Sequence, residues 1–177
     1  MTIESEIKNK IKQTSIRGRF AFGVFCLEKY ITENDLKSKW IEKLIPTLWE
    51  FTNTDRMDLW EEKISDLTPL NILDESPRNS HSDYPSLTES EFIELKKYYG
   101  ELDNEFVQMI DETIEIGLGN LYGGTGEFSE STYESTIFVY KLANKLLTEK
   151  PNFDNFLKSK FTEFHGWGNN VNKEFFE

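Results

Sequence analysis

The sequence predicts an all-α protein: a single domain over residues 1–177, with about six to seven helices around an apolar central helix near residues 15–31. Apolar residues recur at spacings of three, four and seven along most of the chain, the pattern of helices that bury one side. No stretch alternates between apolar and polar residues as a half-buried strand would. The 177 residues include 14 Phe, 7 Tyr and 4 Trp, enough for one aromatic core.

Two helices are predicted in the first 31 residues. An isoleucine at every fourth position marks the apolar stripe of the first helix: Ile3, Ile7 and Ile11. Ser15 or Thr14 can then cap the central helix, which is apolar on nearly all sides. Gly23 lies in the middle of this helix, where glycine costs about 1 kcal/mol relative to alanine. It either marks the close approach of another helix or has no structural meaning.

The next two helices are bounded or interrupted by prolines. The third has a wide apolar stripe from Leu36 to Trp49 and contains Pro46, so it either kinks there or ends and restarts. A short acidic helix follows, capped near Thr54, and it ends before Pro69. Both helices are expected to pack on the central helix.

A long loop containing prolines is predicted at about residues 68–88. It is longer than the connections of compact helical bundles, so it is either a binding loop or a disordered crossover between two halves of the bundle. Thr88 and Glu91 match the capping-box pattern and open the next helix. Gly100 is expected to end that helix.

Three more helices are predicted after Gly100. An acidic helix runs from Leu102 to Leu121, and a cluster of glycines separates it from the next helix. Ser129 or Ser131 caps that helix, and Pro151 ends it. A last helix is predicted near residues 153–164.

The charge of the chain is concentrated in one segment. From Tyr98 to Tyr140, 43 consecutive residues include nine acids and no Lys, Arg or His, so this segment carries −9 of the formal charge of −12. Five residues of the predicted acidic helix lie within a narrow arc opposite the apolar stripe: Glu101, Glu105, Gln108, Glu112 and Glu115. Like charges three or four residues apart repel by a few tenths of a kcal/mol. We interpret the segment as a surface for a basic protein partner, the other interpretation being a solvated face.

The candidate partner-binding residues follow from this charge pattern, with one aromatic residue added. Trp167 is flanked by glycines, so it is either an exposed interface anchor or a lid over the end of the bundle. The full set is Glu101, Glu105, Asp111, Glu112, Glu115, Glu127, Glu130 and Trp167.

Composition excludes several other classes of partner and environment. A sequence pI near 4.7 argues against nucleic-acid binding, which needs a basic surface. The longest apolar run, residues 20–27, is too short to span a membrane. The single cysteine, Cys26, cannot form an intramolecular disulfide and lies among apolar residues. We therefore expect a cytoplasmic protein with no membrane association.

No catalytic, cofactor or metal motif is found. The glycine cluster after residue 117 lacks the lysine of a phosphate loop, and Tyr122 stands where a dinucleotide fingerprint needs its third glycine. Neither His81 nor His165 has the spacing of a metal-ligand motif. A hard cation between helix carboxylates and a pair of hydrolytic carboxylates stay open, because neither leaves a sequence spacing. We expect no enzyme activity and no cofactor.

The start of the central helix resembles a known class of bacterial proteins. Residues 19–22, Arg-Phe-Ala-Phe, and residues 26–30, Cys-Leu-Glu-Lys-Tyr, are similar to the opening of small all-helical immunity proteins of polymorphic toxin systems. The similarity covers about fifteen residues. It implies a cytoplasmic inhibitor that binds a cognate toxin, and it assigns no functional residues.

The leading hypothesis is a non-enzymatic binding protein, an immunity protein that neutralises a basic toxin, for example a nuclease, through an acidic helical face. One alternative is a metal-binding or hydrolytic bundle whose carboxylates face inward, in which case their pKa values should rise. The other is an acidic adaptor protein whose charge serves solubility.

Overall fold

The computed structural model describes residues 3–76 and 79–177, and the side chains from residue 5 onward in the first helix. It confirms the all-α prediction, because the described residues form seven longer α-helices and one of five residues, with no strand. Ile3 of the predicted isoleucine stripe lies outside the described side chains. The helices are α1 (Ile3–Gln13), α2 (Ile16–Glu33), α3 (Lys39–Asn53), α4 (Met57–Ser65), α5 (Pro69–Leu73), α6 (Glu89–Glu101), α7 (Asn104–Leu118) and α8 (Glu130–Leu146).

Helix α2 is the central helix, as predicted. The Ser15 side chain caps it by accepting a hydrogen bond from the Gly18 backbone N–H at 3.0 Å. The helix packs against α3, α7 and α8. A Cβ atom at Gly23 would lie 2.7 Å from Cγ2 of Thr113 on α7. The lack of a side chain therefore allows α2 and α7 to approach closely, which confirms the first interpretation of this glycine.

Aromatic rings fill the space between α2, α3 and α4. The Phe20 ring lies 4.3 Å from that of Phe51 and 5.6 Å from that of Trp60, measured between centroids. Trp60 is fully buried, and its indole N–H donates to the Thr47 carbonyl oxygen at 2.8 Å. Gly117 of α7 makes room for this cluster, since a Cβ there would lie 2.6 Å from Cη2 of Trp60.

Two buried arginines connect α2 to distant parts of the chain. Arg19 is fully buried and donates to the carbonyl oxygens of Ile11 at 3.0 Å and Phe128 at 2.7 Å. Arg17 donates to the carbonyl oxygens of Thr54 at 2.8 Å and Gly168 at 2.9 Å. Burial lowers the pKa of both guanidinium groups, that of Arg19 to about 9. Backbone oxygens therefore accept most of the hydrogen bonds of these cations in place of carboxylates, although Nε of Arg17 is buried without a partner.

The two proline-containing regions have different outcomes. Helix α3 runs through Pro46 from Lys39 to Asn53, so it does not end and restart there. The predicted loop at 68–88 contains α5 and a 3₁₀ turn at His81–Asp83, and Tyr84 and Leu87 are buried in the core. Two of the loop residues, 77 and 78, lie outside the described residues. The described part of this segment is therefore packed onto the bundle, and the prediction of a long uninterrupted loop was wrong there.

The predicted last helix at 153–164 is also wrong. The chain forms 3₁₀ turns at Asp154–Lys158, Phe164–Gly166 and Lys173–Phe175 instead. Tertiary hydrogen bonds explain the difference: the Ser15 N–H donates to the Ser159 carbonyl at 2.9 Å, and the Phe161 N–H donates to the Gln13 carbonyl at 2.8 Å. Because these backbone groups pair with the segment between α1 and α2, they are not free for an α-helix.

Candidate partner-binding face

Helices α7 and α8 are antiparallel neighbours, and two contacts define how they are aligned. Lys145 near the end of α8 pairs with Glu105 at the start of α7. At the other end, the Ser131 hydroxyl donates to the Gly119 carbonyl at 3.2 Å. The two contacts are separated by the same number of residues along α7 as along α8. The residues midway between the two contacts therefore lie side by side on the two helices. Glu112 is therefore level with Phe138.

The outward sides of these two helices form one surface, which we call the α7–α8 face. Helical spacing places its members on the sides opposite the buried residues of each helix. Phe138 stands near its middle and is 42% exposed, which makes it the exposed large apolar side chain of this face. The α7–α8 face consists of Glu105, Gln108, Glu112, Glu115, Ser131, Glu134, Phe138, Lys141 and Lys145.

The α7–α8 face has a neutralised end and a negative end. At one end Lys145 compensates Glu105. Toward the other end, no Lys or Arg in residues 5–76 or 79–177 lies within salt-bridge distance of Glu112, Glu115 or Glu134. Partial burial and the neighbouring Glu112 carboxylate raise the pKa of Glu115. Uncompensated negative charge thus lies on one side of Phe138.

The structure distributes the other predicted acids over the molecule. Glu101 is the last residue of α6, where its carboxylate lies 3.8 Å from the Lys97 ammonium. It is not part of the acidic helix, because Asp103 caps α7 and accepts from the Glu105 and Phe106 backbone N–H groups. Glu127 is exposed in the loop before α8, and Glu130 is exposed in the first turn of α8, where a negative charge is favourable.

Asp111 lies on the other flank of α7 and lines a cleft of about 620 Å³ beside α5. Its carboxylate accepts a hydrogen bond from the Leu70 backbone N–H at 2.9 Å. Burial raises its pKa to about 6, the Leu70 hydrogen bond opposes this change, and the charge of Glu112 adds to it. Burial raises the pKa of both Asp111 and Glu115, but Glu115 is exposed, so Asp111 is the predicted acid that matches the inward-facing alternative better.

The cleft beside Asp111 contains three more aspartates, but local hydrogen bonding explains each of them. Every one accepts a backbone N–H in the segment from α4 to α6: Asp66 from Ser86 at 2.8 Å, Asp74 from Ser76 at 2.9 Å, and Asp83 from Ser80 at 3.0 Å. Within the described part of the chain, no group of three or more His, Cys, Asp or Glu side chains is arranged to hold a metal ion. These carboxylates therefore order the 66–88 segment.

Trp167 is half-buried, with its ring 6.4 Å from that of Phe51, so it covers the aromatic core. The exposed aromatic residue of this segment is Phe164, at 66%. Phe164 and His165 both have positive φ angles, 44° and 56°, and such a conformation costs about 1–3 kcal/mol per residue. The Thr125 hydroxyl holds this turn by donating to the His165 carbonyl at 2.7 Å.

The other candidate chemical groups have structural explanations. Cys26 is fully buried, and burial raises the pKa of its thiol, which disfavours the reactive thiolate. The glycine-rich loop after α7 borders a shallow cavity of about 400 Å³ whose rim carries Glu127 and Glu130. These two carboxylates would repel a phosphate. None of the helices described is long and apolar enough to cross a membrane.

Sequence reasoning missed Phe138 as a surface residue. Its spacing contains the signal, because Glu134, Phe138 and Lys141 recur at intervals of four and three and so share one side of α8. Tyr122 is 88% exposed, and its hydroxyl donates to the carboxylate of Glu61 on α4. In the sequence, Tyr122 stands out only because it lies where a dinucleotide fingerprint needs its third glycine.

Comparisons with known proteins leave this description of the site unchanged. No family model, curated protein or solved structure matches the chain. The resemblance of the central helix to immunity proteins therefore stays a prediction.

Proposed function

We propose that the protein is a non-enzymatic binding protein that uses the α7–α8 face to bind a basic protein partner. The observation that carries the proposal is the exposed Phe138 ring beside the uncompensated carboxylates of Glu112, Glu115 and Glu134. The resemblance of residues 19–30 supports a more specific version, in which the protein is a cytoplasmic bacterial immunity protein and the partner is its cognate toxin.

The composition of the face fits the anatomy of protein interfaces. Binding energy is concentrated in a few residues, commonly aromatic ones, that lie near the centre of a contact and lose their water on binding. Phe138 has this position. The carboxylates beside it are suited to Lys and Arg on the partner, and they select against acidic surfaces by repulsion.

The charge of the face also predicts how the complex forms. Uncompensated carboxylates attract a basic partner over distances comparable with the Debye length, about 10 Å at 0.1 M salt. Such attraction raises the association rate and makes it depend on salt. Loss of Phe138 contacts would instead act mainly on the dissociation rate, because short-range contacts form after the encounter.

The test uses the polypeptide encoded by the adjacent gene as partner and follows association by stopped-flow fluorescence from about 50 to 500 mM salt. Changing Glu112→Lys and Glu115→Lys together should slow association roughly tenfold or more at the lowest salt and flatten the salt dependence. The control is the pair Glu75→Lys and Glu89→Lys, which changes the net charge equally at two exposed positions near α5 and α6.

Phe138→Ala completes the test, with an expected increase in the dissociation rate of roughly tenfold. Equal effects of the two charge-reversal pairs would contradict the assignment of the face. Association that does not change with salt would contradict the electrostatic mechanism. No binding of the adjacent gene product at micromolar concentration would contradict the toxin-inhibitor version of the proposal.

A further inference from the structure

A second surface, on the opposite flank of the central helix, has the features of a binding site. A shallow groove of about 380 Å³ runs between the C-terminal half of α2 and the first half of α3. Apolar side chains form most of its wall, and a neighbouring depression shares Glu28 and Thr32 with it. The groove is lined by Glu28, Ile31, Thr32, Ile41, Glu42, Ile45 and Pro46.

Pro46 removes the normal helical donor of one backbone carbonyl beside this groove. In an α-helix the carbonyl of residue 42 accepts from the N–H of residue 46, and proline has no N–H. Helix α3 nevertheless continues through Pro46, so the Glu42 carbonyl lacks its normal helical donor. Glu42 and Pro46 both line the groove, so the carbonyl without this donor belongs to a residue of its wall.

The other polar groups of the groove are acceptors as well. The Thr32 hydroxyl already donates to the Glu28 carbonyl at 2.9 Å, so only its lone pairs remain. The Glu28 carboxylate lies 2.8 Å from the Lys173 ammonium and keeps further acceptor capacity. No described Lys or Arg lies within salt-bridge distance of the Glu42 carboxylate. The groove thus combines an apolar wall with hydrogen-bond acceptors and net negative charge.

We propose that this groove binds an arginine side chain of a protein partner. The aliphatic part of arginine can cover the three isoleucines, and its guanidinium group offers five N–H donors and no acceptor. Guanidinium is more weakly hydrated than the lysine ammonium and loses less on leaving water, which favours arginine over lysine at an apolar wall. The inference rests on the proposed function in one respect, namely that the partner is basic.

The groove can be tested without the partner by NMR on protein with ¹³C-labelled isoleucine methyl groups. The probe is the peptide acetyl-Ala-Arg-Ala-amide, and the matched control replaces arginine with citrulline, which has the same shape and no charge. The arginine peptide should shift the methyl signals of Ile31, Ile41 and Ile45 with a Kd on the order of 1 mM. Ile72 on α5 does not line the groove and should not respond. The citrulline peptide should bind roughly tenfold more weakly or not at all.

Two variants of α3 identify the acceptors. Glu42→Gln removes a charge and should weaken the arginine peptide roughly five- to tenfold. Pro46→Ala restores the N–H that occupies the Glu42 carbonyl and should weaken binding severalfold while leaving the helix intact. Equal binding of the citrulline peptide, or unchanged binding by both variants, would overturn the inference.

The outcome for the groove can be separated from the outcome for the α7–α8 face. The Glu112→Lys and Glu115→Lys protein should bind the arginine peptide in the groove as the unmodified protein does. If the peptide fails to bind while these two changes still slow association of the partner, only the groove inference is lost. If the peptide binds as expected while they have no effect, only the proposed function is lost.

Discussion

Replacing Asp111 with asparagine should stabilise the protein at neutral pH. The aspartate is half-buried beside α5, and its pKa rises from the ordinary value of 3.8 to about 6. An acid whose pKa is higher in the folded state contributes stability below its unfolded pKa, and this contribution is lost as pH rises through the folded pKa. A change of this size corresponds to about 3 kcal/mol. The asparagine side chain is neutral at every pH and keeps an oxygen that can accept from the Leu70 N–H, so the variant avoids this loss.

The expected result is therefore a difference between the two proteins that depends on pH. Urea unfolding followed by tryptophan fluorescence should give similar stabilities near pH 4, and the Asp111→Asn variant should become more stable by about 2–3 kcal/mol above pH 7. Glu134→Gln is the control, since it removes one exposed carboxylate from α8. A variant that is destabilised more above pH 7 than near pH 4 would refute the reasoning, because it would show that the charge of Asp111 strengthens its bond to Leu70 more than burial opposes it.

Two further predictions concern the core. Arg19→Leu should lower the free energy of unfolding by about 2–4 kcal/mol, because it leaves several buried carbonyls without donors. The control, Arg56→Leu at an exposed position, should change the free energy of unfolding by less than about 1 kcal/mol. Equal losses for the two variants in urea titrations would contradict this prediction. Gly117→Ala should destabilise the protein by about 1–3 kcal/mol, because the added methyl group overpacks against Trp60. Gly100 has open space around it, so Gly100→Ala should stabilise α6 by about 0.5–1 kcal/mol. Stability changes of the same sign for both variants in thermal unfolding would contradict the packing argument.

Local sequence signals predicted the helices that depend on local interactions. The Ser15 cap and the capping box of Thr88 and Glu91 are both present, because each needs only residues three positions apart. The helix prediction for residues 153–164 was wrong for the opposite reason. Its backbone bonds to residues 13–15, and a pattern within the segment carries no information about such a distant partner.

The acidic segment shows the same limit for the candidate site. Counting charges along the chain indicates a negative region, but Lys145, which compensates Glu105, comes from the next helix and lies outside the segment that was counted. Likewise, the charge of the segment alone included Asp111 among the partner-binding residues, whereas the packing of α5 against that flank of α7 partly buries it. The exposure of Phe138, by contrast, could have been predicted from the spacing that it shares with Glu134 and Lys141 on α8.

The capping and anchoring of the central helix connect the two ends of the chain. The Ser15 hydroxyl lies 2.6 Å from that of Ser159, and Arg17 reaches the Gly168 carbonyl, separations of 144 and 151 positions in sequence. On a ribosome, these bonds become possible only after residues 159 and 168 have been synthesised. The cap and the anchor of α2 therefore form later than the helix itself can begin to form.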